Sequence, residues 1–135
     1  MASQTANEVI TGALRRLNLI SEVETMSSER AATGLVALNE LMHSFSSMGI
    51  AYAHSDLALT DTVNMHDGLI DGLKWLLARK LADDGDAVAL SPTQLGSTMM
   101  AKRTLQSAYY LARRSPVDRA LLPRGPGSYN FSTDR

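Results

Sequence analysis

Apolar residues recur at helical spacing in four stretches of the chain, separated by segments where the pattern breaks. In the first, Ala6, Val9, Ile10, Ala13, Leu14 and Leu17 share one side while Glu8, Thr11, Arg15 and Arg16 face away. The spacing predicts an amphipathic helix over 6–17, with Thr5 as its N-cap. A second helix is capped by Ser27 or Ser28, with Glu29 in its first turn, where a carboxylate suits the positive end of the helix dipole. Ala31, Leu35, Leu38, Leu41, Met42, Phe45 and Met48 continue it as one stripe, and Gly49 stops it. Residues 51–66 connect. Leu57, Leu59 and Val63 roughly alternate with polar residues there, so a short extended segment or hairpin is expected.

The third helix is expected over 67–83, with Leu69, Ile70, Leu73, Leu76, Leu77 and Leu81 on a broad apolar face. Trp75 falls on another side, beside Gly72, Ala78 and Ala82. A helix that is apolar or small on two sides is covered on two sides. Two arrangements satisfy this: a central position within the chain's own bundle, or one side turned to a neighbouring subunit through Trp75, Ala78, Ala82 and Tyr109. The fourth helix opens with Ser91-Pro92-Thr93-Gln94, a capping serine, a proline at the first helical position and a glutamine that completes a capping box. It is expected to run to about Arg114. Its small and apolar side is assigned to Ser97, Met100, Ala101, Thr104, Leu105, Ala108, Leu111 and Ala112. Lys102, Arg103, Gln106, Tyr109, Tyr110, Arg113 and Arg114 are assigned to the outer side.

Beyond Ser115 the periodicity ends. Pro116, Pro123, Pro126, Gly125 and Gly127 prevent a further helix. Leu121, Leu122, Tyr129 and Phe131 nevertheless lie in this stretch, which holds two of the chain's seven aromatic residues and cannot build a core for them. Their expected use is to fill pockets on another molecule. The reading is therefore all-α: a small four-helix bundle over 1–115 and an extended C-terminal tail over 116–135.

Composition sharpens this picture at a few points. With 44% hydrophobic and 20% charged residues, the 135-residue chain suits one folded domain rather than a disordered one. A net charge of -1 gives no overall bias toward nucleic acid or an acidic membrane. Residues 51–90 carry seven aspartates against Lys74, Arg79 and Lys80, whereas 113–135 carry five arginines against Asp118 and Asp134. An acidic middle and a basic end can dock between identical subunits. The absence of cysteine excludes disulfides and thiolate metal sites. No apolar run approaches the ~20 residues of a membrane span, and the first residues have no secretory pattern.

Few residues suggest chemistry. His43, His54 and His66 lie in different elements without metal-ligand spacing, so no metal and no cofactor are expected. There is no phosphate-cradling glycine loop and no nucleophile elbow. Paired carboxylates are the minimum for polysaccharide cleavage. The glutamates sit mostly on predicted polar faces, however, and Asp83, Asp84 and Asp86 read as a hydrated helix end. A cell-wall hydrolase is thus a weak competitor. A nucleic-acid-binding helical protein is a stronger one, because Lys102, Arg103, Arg113 and Arg114 with Tyr109 resemble a phosphate-tracking surface.

Asn7-Glu8-Val9-Ile10 followed by Ala13-Leu14-Arg15-Arg16-Leu17 resembles the first helix of the head-to-tail adaptors of short-tailed phages, the head-completion or tail-accessory factors. Gly34-Leu35-Val36-Ala37-Leu38-Asn39-Glu40-Leu41-Met42, closing at Ser47-Met48-Gly49-Ile50, is similar to that family's second helix. Gly68-Leu69-Ile70 and Leu76-Leu77-Ala78-Arg79-Lys80-Leu81-Ala82 resemble its third. The likeness rests on order and spacing over nearly the whole chain. Each stretch alone is an ordinary amphipathic helix. The family's connection between the second and third helices is often a longer hairpin than the one here. The resemblance implies a non-enzymatic virion protein at the head-to-tail junction. Copies, typically twelve, would form a ring beneath the portal protein and carry the tail or nozzle proteins, with packaged DNA passing non-specifically through the channel. It also implies that the C-terminal segment anchors the ring to the portal, which points to Leu121, Leu122, Pro123, Tyr129 and Phe131.

Overall fold

The computed structural model describes residues 4–85 and 89–110. Within them the chain forms four α-helices: α1 (Ala6–Arg16), α2 (Ser28–His43), α3 (Asp67–Asp84) and α4 (Pro92–Ala108). No strand occurs among the described residues, and the all-α bundle read from the periodicity is what forms. Local chemistry explains each start. The Thr5 hydroxyl accepts from the Glu8 amide while the Glu8 carboxylate accepts from the Thr5 amide, a reciprocal box that satisfies two otherwise orphaned donors. Ser91 and Gln94 repeat that box at α4, with Pro92 behind the cap. Ser27 caps α2, and the His66 ring nitrogen Nδ1 accepts from the Gly68 amide at α3.

All four helices feed one core. Val9 and Ile10 of α1, Leu38 of α2, Leu73 and Leu77 of α3 and Leu105 of α4 are fully buried together with Phe45. The core is carried past α2 by a 3-10 turn, Ser44–Ser46, which swings Phe45 inward. Gly49 then adopts the left-handed conformation (φ 78°) that a side chain resists, and reverses the chain. α3 packs against α1, α2 and α4. It is the central helix, and of the two arrangements read from its apolar sides the bundle interior holds for Ala78, which is fully buried.

The connection after α2 forms no hairpin. It runs extended across the end of α1 and lends its carbonyls to the helix. Asp61 O accepts from the Ala6 amide at 2.8 Å and Leu59 O from the Asn7 amide at 3.1 Å. These are first-turn donors with no partner inside their own helix. Val63 from the same segment is fully buried, and an isolated antiparallel bridge joins Thr5 to Thr62. The Asn39 side-chain amide holds the middle of the segment, donating to Leu57 O (3.1 Å) and accepting from Leu57 N (3.0 Å).

Two expectations about the last helix change. α4 ends at Ala108, not near Arg114: Tyr109 leaves helical geometry (φ -113°, ψ 48°) and Tyr110 pairs with Ile50. Its buried side is Thr98, Ala101 and Leu105, with Gln94 and Tyr109 half-buried on the same line, whereas Met100, Thr104 and Ala108 face outward. The cause is that Thr98 satisfies its own hydroxyl by donating to Gln94 O at 2.9 Å. A threonine so satisfied can occupy the core, and the buried side is rotated by about a fifth of a turn from the one expected.

Candidate functional site

The described residues expose six large hydrophobic side chains, and four of them lie at 95–110: Leu95, Met99, Met100 and Tyr110. Met99 is 56% and Met100 63% exposed, so the outer side of α4 carries apolar surface that the described residues do not cover. Beside it an open groove of about 330 Å³ runs between α3 and α4, lined by Leu69, Gly72, Trp75, Met100, Ala101 and Thr104. Gly72 faces Ala101 across the helix contact, where a Cβ would stand 3.4 Å from that of Ala101, an ordinary packing distance.

Trp75 forms the groove's wall and is held in place. The Arg16 guanidinium lies 4.5 Å over its ring, and the same group pairs with the Asp71 carboxylate and donates to Asp71 O at 2.8 Å. Gln94 Nε2 in turn donates to Arg16 O at 3.2 Å, so α1, α3 and α4 meet at this corner. Nearby, Lys74 has its pKa lowered by burial of its stem and then by Arg16, against the opposing pull of Asp71 and Glu8.

The expected subunit-interface set divides. Trp75 is half-buried at the groove. Ala78 is removed from any surface, because it is fully buried in the chain's own core. Ala82 is half-buried against that core. Tyr109 turns inward instead of outward: its ring meets that of Tyr52 edge-on at 5.3 Å and packs on the core. Tyr52, which donates its hydroxyl to Asn64 O, has its pKa raised by burial and then by Tyr109. Lys102 and Arg103 are exposed. Arg113, Arg114, Leu121, Leu122, Pro123, Tyr129 and Phe131 lie outside the described residues.

Two groups of residues went unread in the sequence. Met99 and Leu95 were not distinguished as an outward apolar patch, since that depends on the phase of α4. The second group corrects the reading of the histidines. His43 closes α2, and His54 comes from the extended connection, yet their rings stand edge-on with centroids 4.7 Å apart and Asp56 between them. Asp56 Oδ1 is 2.7 Å from His43 Nε2 and 3.9 Å from His54 Nε2. The spacing signal was present: residues 54 and 56 are two apart on extended backbone and so share a side, while Asn39 and His43 are one helical turn apart.

The fold thus defines a class, a small capped α-helical bundle with an uncovered apolar helix side. No helix of the described residues is long and apolar enough to cross a membrane. Compared with known proteins, the chain matches no protein-family model and no curated protein sequence.

Proposed function

We propose that the chain is a structural subunit, a head-to-tail adaptor of a tailed phage that assembles beneath a portal as a ring, of twelve copies by the sequence resemblance to that family. The observation that carries this is the apolar outer side of α4 beside the Trp75 groove. A helix side bearing Leu95, Met99 and Met100 gains by burial against a second copy, at roughly 25 cal/mol per Å² of apolar surface covered. Closure of a ring then makes many modest contacts collectively strong. The likeness of Asn7–Ile10 with Ala13–Leu17, of Gly34–Met42 with Ser47–Ile50, and of Gly68–Ile70 with Leu76–Ala82 to the adaptor family supports the same reading.

In this reading copies bind the portal's lower face once the genome is packaged. They extend the DNA channel and offer a platform to tail or nozzle proteins. The contact with the portal is made by Leu121, Leu122, Pro123, Tyr129 and Phe131, and the ring sits at the head-to-tail junction of the virion. Its function is assembly rather than catalysis.

Substituting Met99→Lys and Met100→Lys together tests the role assigned to α4. Both side chains are more than half exposed, so the melting temperature should stay within a few degrees of wild type. Copies retained on portal rings in sedimentation should fall severalfold. Equal retention by the double variant rejects α4 as the joint between copies.

A second reading, non-specific nucleic-acid binding, draws on the exposure of Lys102 and Arg103. It requires the isolated chain to retard DNA at low salt and to lose that ability steeply as salt rises.

A further inference from the structure

We propose that His43, His54 and Asp56 form a binding site for a divalent transition metal of the Zn²⁺ type, fastening the extended connection to the end of α2. The three side chains each offer one ligand atom, and these atoms all lie within 4.8 Å of one another. A tetrahedral ion with bonds of about 2.0 Å needs ligand atoms about 3.3 Å apart. The observed separations of 2.7 Å and 3.9 Å from Asp56 Oδ1 lie on either side of that value, so small side-chain rotations bring the set to it.

A second observation points the same way. The His54 side chain is only 4% exposed, and its Nε2 is buried without a hydrogen-bond partner among the described residues, directed toward the other two. A buried imidazole nitrogen normally finds a partner, and an orphan costs free energy that a bound ion removes. His43 and Asp56 are open to solvent (side chains 60% and 76% exposed), which gives the ion a path in and leaves its fourth position to water or to a partner's side chain.

The backbone prepares this arrangement independently of the metal. Asn39 pairs with both backbone groups of Leu57 and so sets the register of residues 54–57 against α2. Two imidazoles with one carboxylate favour Zn²⁺, Co²⁺ or Ni²⁺ over Mg²⁺ and Ca²⁺, which prefer oxygen-only sets.

The test is calorimetric titration of ZnCl₂ into the untagged full-length chain, alongside Asp56→Asn, His43→Ala and His66→Ala. Asp56 and His43 are exposed, so these variants fold, and circular dichroism verifies it. One Zn²⁺ per chain is expected for wild type and for His66→Ala. Loss of a ligand should weaken binding by at least about tenfold, no less than loss of an outer-shell partner does. Co²⁺ should give the intense visible absorption of a four-coordinate ion in wild type and lose it in Asp56→Asn. MgCl₂ should give no heat. Absence of stoichiometric Zn²⁺ binding, or equal affinity in wild type, Asp56→Asn and His43→Ala, overturns the proposal.

Discussion

At Gly34 a missing side chain does the structural work. A Cβ built there would stand 2.4 Å from Ile10 Cγ2, and Ile10 is fully buried with no space to withdraw into. Gly34→Ala should therefore destabilise the fold by about 1–3 kcal/mol, despite the better helix propensity of alanine. Urea unfolding should show a lower midpoint with an unchanged slope. A variant as stable as wild type would mean that α1 and α2 do not approach this closely. Gly34 and Ala37 were not legible as core positions, because small residues add little to an apolar stripe. Leu38, Leu41, Met42 and Phe45 were legible, because size and spacing agree. Lys80 offers a second residue-scale test. It pairs with Asp84 at 3.0 Å and Glu40 at 3.1 Å, and the hydrogen bonds it donates to these two carboxylates, Asp84 first, raise its pKa. For a lysine so raised, the stabilisation is fully present below the unfolded-state pKa of about 10.4 and is lost as pH rises through the folded value. Both carboxylates are more than half exposed, so the gap between wild type and Lys80→Met should be under about 1 kcal/mol near neutrality. That gap should narrow only above about pH 10.4. A gap that widens there contradicts the assignment.

At the scale of elements, helix starts were the most legible feature and the phase of α4 the least. Thr5, Ser27 and Ser91 announce their helices by local chemistry alone, and each makes the capping bond read for it. The side of α4 that packs inward depends instead on a tertiary choice, between Met100 and a threonine that hides its own hydroxyl. Hydropathy cannot rank those two correctly without knowing that α3 presents Gly72 to Ala101. The connection of 51–66 was read as an extended segment or a hairpin; only the first forms, and its purpose, supplying carbonyls to the start of α1, comes from residues far along the chain. Asn39 is its main fastening. Asn39→Ala leaves Leu57 N–H and C=O half-buried without their partner, at a cost of about 1–3 kcal/mol. Hydrogen exchange should accelerate at Leu57 while the amides of Leu73 and Leu77 stay slow. Uniform acceleration at both would show that the connection and the core open as one unit.

For the whole molecule, the physical question is what covers apolar surface that the described residues leave open. The bundle completes its own core through Val9, Ile10, Leu38, Leu73 and Leu105, so Leu95, Met99 and Met100 are in excess of what folding requires. Ala78 and Tyr109 were assigned to neighbours because a helical wheel cannot say which of two apolar sides its own chain will take. Trp75, of that expected set, stands at an open groove. The histidine cluster was hard to read for a related reason: the Asn39 fastening that sets the connection against α2 is itself a tertiary contact. The proposed adaptor role requires that copies of this chain add to a portal ring. It is tested most directly by mass photometry of phage portal rings mixed with the full-length protein. The account predicts a ring heavier by multiples of the 14.6 kDa chain, rising to about twelve copies as a cyclic assembly closes, and no gain with a chain lacking residues 116–135. Portal rings of unchanged mass at saturating full-length protein would contradict it.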